Sequence, residues 1–324
     1  MQSPLPTRRM VLAASLAAAT VPAQAQSWPT RPVRVIVPFP PGGATDFIAR
    51  LVAEALGPVL GQQVFVENRG GAYGMLGMQA AATAEADGYT LAATAPGVLA
   101  VNQFVLKRMS YDPERDLRSV SMIASIPYVM VVPSSVPARS VAEFVDLVKR
   151  NPGRYNFGTS GMSSRLTVEL FRALAGGLDM TMVQYRGGGP QRVDLLRGDL
   201  HVVIDQLPSF LEDFEKGVLV PLAISTPTRS PMLPNVPTMI EAGIAGYEAA
   251  AWLAYSAPRA TPTPVITRLN TAIDEVLRRP EIVQRLATWG ATPVGGSPEH
   301  MDSIVTAERI RWQEAVRVAG IEPE

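Results

Sequence analysis

The chain has 324 residues, enough for two domains of ordinary size, and its hydrophobic content of 47% excludes an intrinsically disordered chain. Lys and Arg together number 29 and so do Asp and Glu, and this balance argues against nucleic acid as a partner. The absence of cysteine excludes disulfides, thiol nucleophiles, cysteine metal sites and lipid attachment through cysteine.

The beginning of the chain has the pattern of an export signal. Arg8 and Arg9 form a charged region, an apolar run occupies 10–21, and the Ala-Gln-Ala sequence at 23–25 is a small-x-small cleavage site. We therefore predict that residues 1–25 are a signal peptide, removed on export to the periplasm. The paired arginines are compatible with export by the twin-arginine route and also with export by the general secretory route.

The next hundred residues alternate between strand and helix patterns. This β-α-β-α-β order is typical of a parallel sheet covered by helices on both faces, an α/β fold. Two further strand-like runs follow, separated by Pro127. The predicted elements are strands at 33–37, 64–66, 90–94, 119–124 and 128–132, and helices from 45 to 61 and from the glycine-rich loop 67–74 to 87–88.

A second α/β unit with the same rhythm begins at the capping box formed by Ser140 and Glu143. A proline-rich connection at 226–247 and an extended stretch at 248–258 lead to the end of the chain. The predicted strands are 155–158, 180–185, 202–204 and 219–225, and the predicted helices start at 140, near 165, and at 190, 208, 264, 280 and 298.

The segment that follows the first strand is the most informative. Prolines at 38, 40 and 41 leave the turn few conformations, and Gly42 and Gly43 let a ligand approach the backbone. The helix that begins near Thr45 leaves free N–H groups at its positive end. These features fit a site that holds a carboxylate or phosphate with backbone amides, and they equally fit an ordinary strand-to-helix turn. No P-loop lysine follows, which argues against a nucleoside triphosphate.

Loops rich in Gly, Ser and Thr follow the strands that end near Val37, Thr94 and Gly158. In open parallel sheets ligands bind at the carboxyl ends of strands, so these loops indicate a cleft between two lobes. An enzymatic site has little support. His201 and His300 cannot be related by spacing to Ser160, which lies outside a G-x-S-x-G motif, and no residues cluster at metal-ligand spacing. We expect no catalytic residues, no metal and no cofactor.

Three charged residues lie near these loops, and two of them, Arg165 and Asp205, have two interpretations each. Arg165 stands near a helix start, where the dipole opposes a cation, so it is either solvated or a bidentate partner for a ligand carboxylate. Asp205 ends a buried strand and either caps the next helix or accepts a hydrogen bond from a ligand; we expect backbone N–H groups or Arg165 to bind it. Asp46 is expected to cap its own helix.

Seven segments spread over the mature chain form a recognisable series of motifs. They are WPTRPVR (28–34), VPFPPGGATD (37–46), VENR (66–69), DGYTL (87–91), YDP (111–113), LPNVPT (233–238) and EAG (241–243). In this order they resemble the Bug family of extracytoplasmic solute receptors of tripartite tricarboxylate transporters. The resemblance implies a two-lobed periplasmic binding protein of type II, with crossing strands at 128–132 and 252–257. It implies that one lobe comprises 26–127 and 257–324 and the other 128–256.

Carried over position by position, the resemblance implies small carboxylate ligands held by backbone amides and bridging water. Two departures prevent a transfer of ligand identity: Arg165 stands where members often carry histidine, and Met75 stands where asparagine is common. The implied or predicted contacts are Phe39, Gly42, Gly43, Ala44, Asp46 and Thr94 in the first lobe and Ser160, Gly161, Ser164, Arg165 and Asp205 in the second.

Two functions follow from the resemblance, and the sequence does not separate them. In the first, a monomeric receptor delivers a small carboxylate, a dicarboxylate among the candidates, to the integral-membrane permease of the transporter. In the second, the ligand-bound protein signals through a two-component sensor kinase. An enzyme is a distant third.

Overall fold

The computed structural model describes residues 28–323, so the predicted signal peptide, 1–25, lies outside the described residues. Ten strands of this described part form one curled α/β sheet, in agreement with the predicted class. The strands are β1 (Val33–Val37), β2 (Val64–Asn68), β3 (Thr90–Thr94), β4 (Leu117–Pro133), β5 (Asn156–Thr159), β6 (Thr181–Gln184), β7 (Val202–Gln206), β8 (Leu219–Ile224), β9 (Ala250–Pro258) and β10 (Thr292–Gly295).

The helices follow the sequence patterns closely at their starts. Ser140 accepts a hydrogen bond from the Glu143 N–H at 3.2 Å, and Ser297 caps the last helix in the same way. The helices are α1 (Ala44–Leu60), α2 (Met75–Ala82), α3 (Asn102–Val105), α4 (Val141–Arg150), α5 (Met162–Leu174), α6 (Gly188–Arg197), α7 (Leu211–Glu215), α8 (Thr263–Leu277), α9 (Pro280–Ala287) and α10 (Pro298–Ala319), with short 3₁₀ turns at Ala72–Gly74 and Leu207–Phe210 and a π-helical turn at Gly97–Val101.

Each half of the sheet has a parallel core. In the first half the strand order is β2-β1-β3, and all three strands run in the same direction. In the second half the order is β7-β5-β6, again parallel. Parallel strands are covered on both faces, which explains why Val33, Val35 and Ile36 are fully buried.

One long strand, β4, joins the two halves and corrects a prediction. The two runs 119–124 and 128–132 were expected to be separate because Pro127 lies between them, but they form one continuous strand. Pro127 is tolerated because it lies where β4 changes partners: it pairs with Ala250 at the end of the β9 ladder, and Tyr128 opens the pairing with β7. The strand β9 pairs with β3 and with residues 117–127 of β4. The lobe division at 127/128 and 256/257 stays a prediction.

Other differences have local causes. The helix expected to reach 87–88 ends at Ala82, where the Thr83 hydroxyl bonds back to the Gln79 carbonyl at 2.8 Å. Asp87 then makes a turn by accepting a hydrogen bond from the Tyr89 N–H at 3.0 Å. The short strand β10 and the π-helical turn at Gly97–Val101 were not predicted, since neither has a distinctive pattern.

Packing fixes the helices that present the strand ends. The apolar face of α1 buries Ile48, Val52 and Leu56 completely, and burial of each such side chain contributes about 1.5–3 kcal/mol. Gly61 ends this helix in the left-handed conformation. At the other end of the chain, α10 packs against both β4 and α5, so it contacts both halves of the molecule.

Candidate functional site

The carboxyl ends of the two parallel strand sets face each other. In the first half β1, β2 and β3 end at Val37, Asn68 and Thr94; in the second half β5, β6 and β7 end at Thr159, Gln184 and Gln206. Two contacts show that these edges meet: the Gln184 side-chain amide donates a hydrogen bond to the Tyr73 hydroxyl, and a Cβ added to Gly97 would lie 3.0 Å from the Ser163 hydroxyl oxygen. Both contacts join loops at the carboxyl ends of strands across the space between the two halves; that the predicted site residues line this space stays a prediction.

Asp46 holds the first loop in place. One of its carboxylate oxygens accepts the Gly42 N–H at 3.0 Å, and the other accepts Arg50 at 3.0 Å and Asn68 at 2.8 Å. Asn68 also donates to the Phe39 carbonyl at 3.1 Å. Burial raises the pKa of Asp46, but the hydrogen bonds from Arg50, Gly42 and Asn68 outweigh it, so the pKa lies below its ordinary value. Asp46 thus stays charged and ties the loop to β2.

Asp46 does not cap its helix in the manner expected. The N-cap is Gly43, which carries no side chain to do so, and Asp46 reaches back past it to the Gly42 N–H. The amide of Gly42 is therefore already bound within the protein. Gly42 supplies instead the left-handed turn, with φ of 92°, that directs the following residues.

The next amides are presented to solvent-accessible space. Gly43 is exposed and extended, with φ of −86° and ψ of 168°, and a Cβ added there would find nothing within 4 Å. The first N–H groups of α1, from Gly43 onward, have no acceptor within their own helix. Folding therefore imposes no need for glycine at 43, whereas a ligand that approaches the backbone would impose one.

Glycines of the neighbouring loop bring it against the first one. A Cβ on Gly77 would lie 2.7 Å from the Pro38 Cα, and a Cβ on Gly74 would lie 2.7 Å from the Val98 Cγ1. Gly74 also has φ of 87°, a conformation that favours glycine. These glycines serve packing, and they hold the first loop rigidly between its neighbours.

In the second half, Asp205 organises the loop after β5. Its carboxylate accepts the Ser160 hydroxyl at 2.5 Å and the Gln206 N–H at 2.8 Å, so a backbone group binds it as expected. Ser164 joins this network by accepting the Ser160 N–H at 3.4 Å and donating to the Ile204 carbonyl at 3.4 Å. Burial raises the pKa of Asp205 above its ordinary value, and the hydrogen bonds from Ser160, Gln206 and Ser164 oppose that rise.

The start of α5 offers a second set of amides. Gly161 is the N-cap in an extended conformation without a side-chain cap, and a Cβ there would touch nothing within 4 Å. The first bond of the helix is from the Arg165 N–H to the Gly161 carbonyl at 3.0 Å, so the amides of 161–164 have no acceptor in the helix. Arg165 itself is half-buried and lies one turn into α5.

Thr94 lies at the cleft end of β3 but its side chain is fully buried. Its hydroxyl donates to the Ala254 carbonyl of β9 at 3.1 Å and lies 3.4 Å from the Ser256 hydroxyl. The side chain therefore stabilises strand pairing, and the residue as a whole is fully buried.

Sequence reasoning missed residues on both sides of the cleft. Tyr73 and Gln184 link the lobes, and the glycines at 187–189 open α6 at the same edge of the sheet. Three consecutive glycines directly after a predicted strand were a usable signal for the α6 loop. Nothing in the local sequence marks Tyr73 and Gln184 as partners, because they lie 111 residues apart.

The histidines have structural surroundings. His201 Nδ1 accepts the Asn156 N–H at 3.0 Å, and burial, reinforced by Arg154, lowers its pKa below the ordinary value. His300 is exposed in the first turn of α10. Within residues 28–323, no group of three or more acidic or histidine side chains is placed to hold a metal ion, and no helix is long and apolar enough to cross a membrane.

Two α/β lobes that share a crossing strand and meet at their strand ends define the class of two-lobed periplasmic solute-binding proteins. Comparison with known sequences identifies the family. The profile described as "Tripartite tricarboxylate transporter family receptor" matches residues 48–321, and the chain belongs to this family, the TctC or Bug receptors. Its members are solute-binding receptors of the periplasm and not enzymes.

Individual relatives agree over nearly the full length. Protein BugT of Bordetella pertussis is 39% identical over 304 residues, which cover 92% of each chain. The structure of Rpa4515 from R. palustris, solved with adipate, is 40% identical with a TM-score of 0.88 and covers 92% of this chain and 100% of its own. MatC from Rhodopseudomonas palustris, solved with bound malate, is 30% identical with a TM-score of 0.84 and covers 89% of this chain and 100% of its own.

Proposed function

We propose that this protein captures a small carboxylate in its interlobe cleft and delivers it to the permease of a tripartite tricarboxylate transporter. One observation carries the proposal: α1 and α5, one in each half, both follow the carboxyl end of a parallel strand and begin at an open glycine, with first-turn amides that have no acceptor in the helix. A helix amino terminus binds anions through its amides and its dipole, and two opposed ones favour an anion between the lobes.

The residues have distinct roles in this proposal. Gly43 and Ala44 donate backbone hydrogen bonds to the first carboxylate, while Gly42 and Asp46 shape the loop and Phe39 contributes its backbone. On the other side, Gly161 and Ser164 donate backbone N–H groups to the ligand, while Ser160 shapes the loop, because the Ser160 and Ser164 hydroxyls already donate to Asp205 and to the Ile204 carbonyl. Asp205 positions Ser160, because its carboxylate already accepts that hydroxyl.

Arg165 supplies the cation for a second carboxylate when the ligand is a compact diacid. A guanidinium makes a planar two-point contact with a carboxylate, which a lysine cannot reproduce. The relatives solved with adipate and with malate both hold dicarboxylates, which supports this ligand class for the present chain.

Delivery to a permease requires that the protein be exported, so we propose that residues 1–25 direct it to the periplasm. The proposal is tested in two stages. First, protein purified from the periplasm is denatured and the released small molecules are identified by mass spectrometry; a carboxylate is expected. Second, uptake of that carboxylate is measured in the native host with and without the gene. Unchanged uptake after deletion of the gene would contradict the transport role.

A further inference from the structure

A cavity beside the cleft suggests what kind of carboxylate is bound. It has a volume of about 600 Å³, within the usual range for a small-molecule site, and both lobes contribute to it. Tyr73, Met75, Leu106, Lys107 and Arg108 come from the first lobe, and Gln184 comes from the end of β6 in the second. A ligand that fills this cavity would therefore bridge the lobes.

The cavity adjoins the proposed carboxylate site. Tyr73 precedes Gly74, and Gly74 packs directly against Val98 and the Pro38 carbonyl, so the cavity wall and the first loop are in contact. Gln184 ends the strand beside β5, whose own loop holds Ser160 and Gly161. The cavity thus extends the cleft along the same edge of the sheet.

The walls of the cavity have two chemical characters. Met75 and Leu106 present apolar surface, and Tyr73 adds an aromatic ring. Lys107 and Arg108 are exposed at the same cavity, and neither forms an ion pair with a carboxylate in residues 28–323. Apolar surface beside two cations favours a molecule with a hydrocarbon body and an anionic end.

Tyr73 is held in an unusual conformation at the edge of this cavity. Its φ of 55° lies in the left-handed region, as does that of Ala72 at 47°, and bulky residues rarely adopt it. The Asn102 side chain donates to the Tyr73 carbonyl at 3.1 Å, and Gln184 donates to the Tyr73 hydroxyl. Contacts from both lobes therefore fix the ring where a ligand body would pass.

We infer that the cavity formed by Tyr73, Met75, Leu106, Lys107, Arg108 and Gln184 is a subsite for the far end of an elongated carboxylate. This inference rests on the proposed function, since the near carboxylate is the one held at Gly43. The ligand class is a linear diacid with an aliphatic body, whose body lies against Met75 and Leu106 and whose second carboxylate pairs with Lys107 and Arg108. Compact diacids end within the cleft, at Arg165, and do not use the cavity.

The test is calorimetric titration of the full-length mature protein with succinate, adipate and hexanoate. Adipate is expected to bind at least about tenfold more tightly than succinate, and hexanoate more weakly than adipate. Replacement of both Lys107 and Arg108 by alanine should weaken the binding of adipate about ten- to a hundredfold and change the affinity for succinate by no more than about twofold. Met75→Asn should weaken the binding of adipate and of hexanoate to a similar extent, because the apolar wall of the cavity is lost.

Matched controls separate the inference from its alternatives. Arg278→Ala removes an exposed positive charge just after α8 and should change no affinity. Equal weakening of succinate and adipate by the Lys107 and Arg108 variant would show only long-range attraction and would overturn the subsite. The subsite would also be overturned if Arg165→Ala lost adipate binding while the Lys107 and Arg108 variant kept it. If Gly43→Val binds every acid with unchanged affinity, the proposed carboxylate site at Gly43 is itself refuted.

Discussion

The substitution Gly43→Val tests the carboxylate site without disturbing the fold. A Cβ at residue 43 would meet nothing within 4 Å, and the backbone there, with φ of −86° and ψ of 168°, suits a β-branched residue. Removing the glycine's freedom in the unfolded chain contributes about 0.4–1 kcal/mol of stability. The melting temperature should therefore stay within about 4 °C of the unmodified protein.

The effect on binding should be large. The valine side chain would occupy the space over the amides of residues 43 and 44, where the carboxylate is proposed to lie. Each charge-assisted hydrogen bond contributes about 1.5–3 kcal/mol, so losing two costs about 3–6 kcal/mol. That corresponds to about a hundred- to ten-thousandfold loss of affinity.

Isothermal titration calorimetry with the co-purified carboxylate measures this loss, and thermal unfolding followed by circular dichroism measures the stability. Gly57→Val, at the far end of the same helix, is the matched control, because a Cβ there makes only an ordinary contact of 3.6 Å with the Gln62 carbonyl. It should leave affinity unchanged. Normal affinity in Gly43→Val would refute the site, and a large fall in melting temperature would show that folding requires this glycine.

The other predictions concern charge, pH and export. Arg165→Ala should weaken the binding of succinate about ten- to a hundredfold and that of butyrate much less, and Arg165→Lys should recover part of the loss. Equal effects on both acids in calorimetry would show that Arg165 does not bind the second carboxylate. Because the pKa of Asp46 is lowered in the fold, its stabilisation is present above the unfolded value of about 3.9 and is lost as the pH falls through the folded value. Asp46→Asn should therefore lower the urea midpoint at pH 7, and its difference from the unmodified protein should shrink toward pH 3; a difference independent of pH would contradict this. Edman sequencing of the periplasmic protein should begin at Gln26, and an intact Met1 would exclude removal of a signal peptide.

Sequence reasoning recovered features that depend on neighbouring residues. The strand, turn and helix around Gly42 and Gly43 were predictable because proline and glycine restrict or extend the local backbone. The bonding of Asp205 to a backbone N–H was predictable because a buried carboxylate requires such partners.

Features that depend on distant residues were not predictable. Pro127 was expected to end a strand, since no local pattern shows that β4 changes partners there. The cavity unites side chains from three segments that are far apart in the sequence, and Tyr73 meets Gln184 only where the two halves of the sheet come together. The left-handed conformation of Tyr73 also follows from tertiary contacts, because tyrosine by itself disfavours it.

The crossing strand β4 has a mechanical consequence. Its hydrogen bonds with β9 end at Pro127 and those with β7 begin at Tyr128, so the two lobes are rigidly attached to opposite ends of one strand. Rotation of one lobe against the other must then concentrate in a few backbone torsions at this point, where Pro127 contributes no N–H to either ladder. In the proposed transport role, a ligand that bridges the cleft sets the bend of this strand, and the permease recognises the resulting angle between the lobes.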